Sequence, residues 1–227
     1  AGLIQYNAAS VLVFDMHNEY GFDDTASDTG KPVVGLHTKF PKVRVVGLGR
    51  ATTIRRHTPD FHLEINESDI QPEDIELLTR ELNLKETTST TLEALVHSFG
   101  PTRWFHEFKH MVNGAMVEDD NGKKVPAPGS VAFWANQEGV NVAAAEGLHN
   151  KLRNVFNRPY IIERDAADQV SANSLKNIID TLKAGQHVVM SFGDYESDLD
   201  YLLVSNLLTR KIREAWEEMT NEFRSKG

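Results

Sequence analysis

SVLVFDMHNEYG, Ser10 to Gly21, decides how the rest of the chain reads. Val11 to Phe14 is a continuous apolar run, short enough for a strand buried on both faces of a helix-covered parallel sheet. It stops abruptly at Asp15, followed by His17, Glu19 and Tyr20. In open α/β sheets, ligands sit beyond the carboxyl ends of strands. An acid placed there can hold a metal-bound water, or orient an attacking water on a phosphate. The competing reading is an ordinary Asx-type turn, with Asp15 bonding local amides.

Upstream of this stretch, AGLIQYNAA reads as the last turns of a helix ending near Asn7, with no N-cap before Ala1. The chain is therefore expected to be a segment of something longer. Downstream, KVRVVGL and FHLEI have the alternation of half-buried strands. The texture changes at Asn66, where Pro72 and first-turn acids open a helix with Ile75, Leu78 and Leu82 on one face. Further helical pieces follow in TTLEALVHSF, TRWFHEFKHMVNGAM and NVAAAEGLHNKLRNVF, interrupted by the turn-rich VEDDNGKKVPAPGS. α/β character resumes with a capped helix in SANSLKNIIDTLKAG, a strand over His187–Phe192 and a long helix beginning near Asp198. That last helix carries an apolar stripe from Leu199 through Leu203 and Leu207 to Phe223. The expected class is α/β, with core segments over residues 1–66 and 158–227 and a helical insertion over 67–157.

Composition bounds the function. The 227 residues carry a formal charge of −9, which excludes a globally basic nucleic-acid coat. The chain has no cysteine, so disulfides and Cys-based metal or redox sites are excluded and a cytoplasmic location is expected. No run resembles a signal peptide or membrane span. Charge is unevenly spread. From Lys31 to Pro59 there is no Asp or Glu, while Arg50, Arg55 and Arg56 cluster in a loop between strands. These three arginines are expected to meet a DNA backbone or an acidic neighbouring subunit, against the alternative of a solvated loop paired within the fold. The absence of interleaved aromatics argues against stacking on single-stranded bases.

A second motif points elsewhere. HEFKH, His106 to His110, is a literal H-E-x-x-H, which places two imidazoles on one helical face as in zinc peptidases. Lys109 in the middle of the motif and the lack of a correctly spaced third histidine weaken it, leaving Glu138 or Glu146 as third ligands by assumption. The expectation is no metal, with Trp104, Phe105 and Phe108 packing inward. A zinc metallopeptidase and a non-catalytic interaction domain stand as the alternatives.

The helix end, the short gap and VLVFDMHNEYG together resemble the second core strand of HerA/FtsK-type P-loop ATPases, where the strand runs into an Asp-x-His-Gly-Glu-Tyr-like motif. Asn18 stands where that family usually has Gly. LKAGQHVVMSFGDYESDLDYLLVSNLLTRKIREAW is similar to the family's later strand and long helix, and the helical block to its inserted subdomain. The resemblance implies a partial P-loop ATPase-like sheet with an inserted α-helical subdomain. It implies ATP and Mg²⁺ as cofactors of the parent, Asp15, His17 and Glu19 as catalytic rim residues, and Glu19 as the water- or metal-orienting acid. It further implies a hexameric ring that moves duplex DNA, a partner nuclease, and an arginine acting in trans, for which Arg50, Arg210 and Arg213 are candidates. Nowhere does the chain contain G-x-x-x-x-G-K-[ST], and VVMSFGDYE puts Gly193 where a Walker B strand would carry its acids. Alone, the chain is expected to bind no cofactor and not to hydrolyse ATP.

Overall fold

The computed structural model describes residues 2–163 and 174–226. The chain divides into two compact units, Ala1–Ile65 with Arg164–Gly227, and Asn66–Glu163. The first unit opens with α1 (Gly2–Gln5), β1 (Leu12–Asp15), β2 (Asp24–Thr25) and β3 (Pro32–Val33). There follow α2 (Leu36–Lys39), β4 (Val43–Leu48) and β5 (Phe61–Leu63), with β6 (Ile65–Asn66) at the boundary. The second unit holds α3 (Pro72–Glu76), α4 (Thr87–Phe99), α5 (Trp104–His110), β7 (Met116–Glu118) and β8 (Lys124–Pro126). It closes with α6 (Val131–Gln137), α7 (Val142–Phe156) and β9 (Ile161–Ile162). The chain then returns to the first unit for α8 (Ser174–Lys183), β10 (His187–Ser191) and α9 (Asp198–Lys226). The expected N-cap of α8, in Ser171–Asn173, lies outside the described residues.

The first unit is built on a sheet of order β1-β10-β4-β5, parallel throughout, so every strand points its carboxyl end the same way. Its central strands are rich in valine, whose branched Cβ suits a pleated surface covered on both sides. On one face Val43, Val45 and Val189 pack with Ile4, Phe22 and Ile54. On the other, Val46, Val188 and Met190 are fully buried, and α8 packs against β10 and β5. Each such side chain contributes roughly 1.5–3 kcal/mol of burial. The register places Asp15 opposite Ser191, Ser191 opposite Gly47, and Gly47 opposite His62. A row of polar and small residues therefore crosses the sheet just where three loops leave it. Gly47 is required there because a Cβ would lie 2.9 Å from Pro59 Cγ.

α9 starts from a capping pair: the Asp200 amide donates to Ser197 Oγ at 3.2 Å, and that hydroxyl donates to Asp200 Oδ2 at 2.5 Å. Tyr201 in its first turns meets Phe14 of β1 edge-on at 6.4 Å. The apolar stripe is covered through Leu203 and Leu207 and runs out at Phe223, which is 76% exposed.

The second unit is a small helical bundle. Trp104, Phe105 and Phe108 are fully buried as the sequence predicts, with Phe105 edge-on to Phe156 at 5.2 Å and the Trp104 indole donating to the Ile70 carbonyl at 3.1 Å. Three local expectations are revised. α3 ends at Glu76 because the next turns tighten, the amides of Leu78 and Thr79 donating three residues back to Ile75 and Glu76. α5 stops at His110 because Val112 leaves to bond backbone with Gly129 and Val131. VEDDNGKKVPAPGS is not turn throughout: β7 and β8 pair across a turn in which Asp119 accepts from the Asn121 and Lys123 amides. β7 is exposed along its length, so no alternation betrays it in the sequence.

Candidate functional site

Asp15 ends β1 as a buried carboxylate, only 1% exposed. Its Oδ1 accepts from the Glu19 amide at 2.8 Å, and its Oδ2 from the amides of Tyr20 at 3.0 Å and Gly21 at 3.3 Å. The Ser191 hydroxyl donates to the same oxygen at 3.4 Å. Asp15 therefore folds the loop that presents His17 and Glu19, both of which are exposed. Asp15 thus makes the turn, while His17 and Glu19 point to solvent from the same loop.

Asn18 lies inside that loop, buried, with φ of 57°. The left-handed region admits Gly readily and Asn next best, which accounts for Asn where the resembling family carries Gly. The amide side chain then does what Gly has no atoms to do. Its Nδ2 donates to the Gly193 carbonyl and its Oδ1 accepts from the Gly193 amide, both at 2.9 Å. This pair ties the loop after β1 to the loop after β10. Gly193 itself has φ of 62°, and a Cβ there would sit 2.3 Å from Thr52 Cγ2 in the loop after β4. Three loops thus converge at the carboxyl edge of the sheet.

The loop after β4 brings the arginines. Ile54 and His57 exchange both backbone hydrogen bonds around Arg55 and Arg56, whose φ values are 48° and 67°. A two-residue turn with both central φ positive favours Asn-Gly, so paired arginines there are held against their preference. Arg55, though exposed, is braced against the loop after β1: its Nε donates to the Asn18 carbonyl at 2.6 Å, one Nη reaches the His17 carbonyl at 3.4 Å, and the other pairs with Asp24. It acts as a strut of the rim. Arg56 is exposed. Arg50 pairs with Glu64 at 3.2 Å with its side chain 74% exposed. Arg210 and Arg213 pair with Glu214 and Glu217 one turn along α9.

The HEFKH residues gather in the second unit. The His106 and His110 rings lie 4.3 Å apart, centroid to centroid. The acid beside them is Glu163 rather than Glu138 or Glu146. Glu107, where a peptidase would need its general base, pairs with Arg103. Lys109 sits 2.6 Å from Glu67 and 3.0 Å from Glu163. Burial works against its ammonium, but bonding to those two carboxylates prevails and holds its pKa above the ordinary lysine value. An ammonium beside the two imidazoles and an engaged Glu107 do not favour a peptidase.

The Asn18–Gly193 tie and the Glu19-bearing loop could not be read as partners from sequence. The signal present was an Asn in place of Gly and a Gly that spoiled an acidic strand ending; both belong to one clamp.

The parallel α/β sheet is consistent with a P-loop ATPase-like core. Residues 1–212 match the family described as helicase HerA, central domain. The chain belongs to that family, and so to a group of ATPases and translocases. No curated protein and no solved structure matches it. Among the described residues no helix is long and apolar enough to cross a membrane.

Proposed function

We propose that the chain is the central segment of a HerA-type ATPase that couples ATP hydrolysis to movement of duplex DNA or processing of its ends. The observation that carries this is the rim loop: Asp15 spends its carboxylate on three amides so that Glu19 and His17 face outward beside the loop after β10. In this reading Asp15 is a positioning residue and Glu19 is the catalytic acid. The exposed Glu19 oxygens suit Mg²⁺ or an attacking water. The donor set fits that acid side of an ATP site and not the phosphate side, since no G-x-x-x-x-G-K-[ST] is present to supply amides and a lysine. The two units then correspond to an ATPase core segment and an inserted helical subdomain, working in a hexameric ring with a nuclease partner.

Arg50 and Arg56, both exposed, would meet DNA phosphates or the next subunit, while Arg55 props the rim. The test uses the protein extended on both sides through its phosphate loop and following strand, with duplex DNA. Wild type is expected to bind with an affinity that falls steeply with salt. Arg56→Gln is expected to lower the slope of that dependence by about one. An unchanged slope would remove Arg56 from the DNA interface; absence of DNA binding by the extended protein would remove the translocase reading.

A further inference from the structure

We infer that the second unit carries a site for a divalent transition metal of the zinc class, formed by His106, His110 and Glu163, with a structural rather than hydrolytic role. One ligand atom from each lies within 4.8 Å of the others. In each imidazole Nδ1 already has an acceptor. His106 Nδ1 donates to Glu67 Oε2 at 2.9 Å, and His110 Nδ1 donates to the His106 carbonyl at 2.8 Å. With a proton fixed on each Nδ1, the lone pair of each ring is on Nε2. A carboxylate or carbonyl behind a ligating histidine is the usual support of a metal site, since it fixes the tautomer and raises basicity. Glu67 is well placed for this, being 3% exposed and locked by Lys109 at 2.6 Å. Glu163 Oε1 stands 3.2 Å from His110 Nε2.

Coordination needs closer spacing. Ligand atoms around a tetrahedral zinc lie roughly 3.3 Å apart for bonds of about 2.0 Å. The side chains that must move, His110 and Glu163, are 50% and 48% exposed, so rotation about their own bonds closes the gap without disturbing the core. Lys109 opposes the cation, and the geometry shows where it can stay. It bonds Glu67 Oε1 and Glu163 Oε1, leaving Glu163 Oε2 to the metal while the ammonium remains on Glu67. A fourth position falls to water. Hydrolysis is not part of the proposal, because Glu107 is paired with Arg103. The metal instead links α5 to Glu163, the last residue of the unit after β9.

The experiment titrates Zn²⁺ alone, without nucleotide or DNA, into the metal-stripped 227-residue chain, reading stoichiometry by calorimetry and melting temperature in parallel. One Zn²⁺ per chain and a melting temperature that rises with free Zn²⁺ are expected. Outer partners of a ligand are worth about 10–100-fold in affinity, so removing a ligand by His110→Gln or Glu163→Gln is expected to cost at least about tenfold. Both positions are exposed, so the variants should fold, which circular dichroism checks. Glu107→Gln is expected to leave affinity unchanged. Failure to bind, or binding that survives Glu163→Gln undiminished, overturns the three-ligand site.

Discussion

Asn18 holds the rim together through atoms that no glycine has. Asn18→Gly keeps the left-handed backbone at φ 57° and loses both bonds to Gly193. At about 0.5–1.5 kcal/mol for each hydrogen bond, the loss is about 1–3 kcal/mol. Asn18→Ala loses the same bonds and adds about 1–2 kcal/mol of left-handed strain. Urea denaturation of the chain measures both, and an Asn18→Gly variant as stable as wild type would contradict the clamp. At this scale the sequence was legible in kind but not in direction. Asp15, His17 and Glu19 are indeed at the end of a strand, yet nothing in DMHNEY says that the first faces inward and the other two outward. That depends on which amides the turn brings within reach of Asp15, and turn geometry is set by the φ of Asn18. Arg55 is the same case: its charge was visible in the sequence, but its reach to the Asn18 and His17 carbonyls depends on the tight turn at Ile54–His57.

β10 brings a buried histidine into the sheet. His187 is 1% exposed, and both ring nitrogens are without hydrogen-bond partners. Burial first, and Lys42 second, push its pKa below the ordinary value. In α7, His149 shifts the same way, chiefly through burial. A histidine with a depressed folded pKa favours the fold when neutral, so the unfolded chain binds the proton more readily. The stability this confers is full above the unfolded value of about 6.5 and is lost as pH falls from there through the folded value. Urea midpoints measured between pH 7.5 and 5 should therefore fall with acidity, and His187→Leu should flatten the profile of the first unit. An unchanged slope in that variant would mean that folding does not lower the His187 pKa. Elements with a buried apolar face, such as β4, β10 and α7, were plain in the sequence because burial writes a pattern. The exposed strand β7 writes none, and α5 ends early because Val112 is taken by backbone partners far along the chain.

At the level of the whole molecule, the chain belongs to a family of HerA central domains and contains no G-x-x-x-x-G-K-[ST] motif. The parallel sheet followed from valine-rich runs bounded by polar loop residues, and the family from FDMHNEYG. The pairing of loops across the rim did not, because it joins residues 175 positions apart. In the proposed function, the loop ordered by Asp15 presents Glu19 to ATP chemistry that also needs a phosphate-binding loop, a motif this sequence does not contain. The most direct test is steady-state Mg²⁺-ATP turnover by the chain alone, by the protein extended through both neighbouring motifs, and by that extended protein with Glu19→Gln, with ATP binding measured alongside. The proposed role of Glu19 predicts no turnover by the chain and saturable turnover by the extended protein. It predicts a loss of about 10²–10⁴-fold on Glu19→Gln, with ATP affinity kept within about threefold because binding rests on the phosphate loop. Saturable hydrolysis by the chain alone, or full activity in the Glu19→Gln protein, would contradict it.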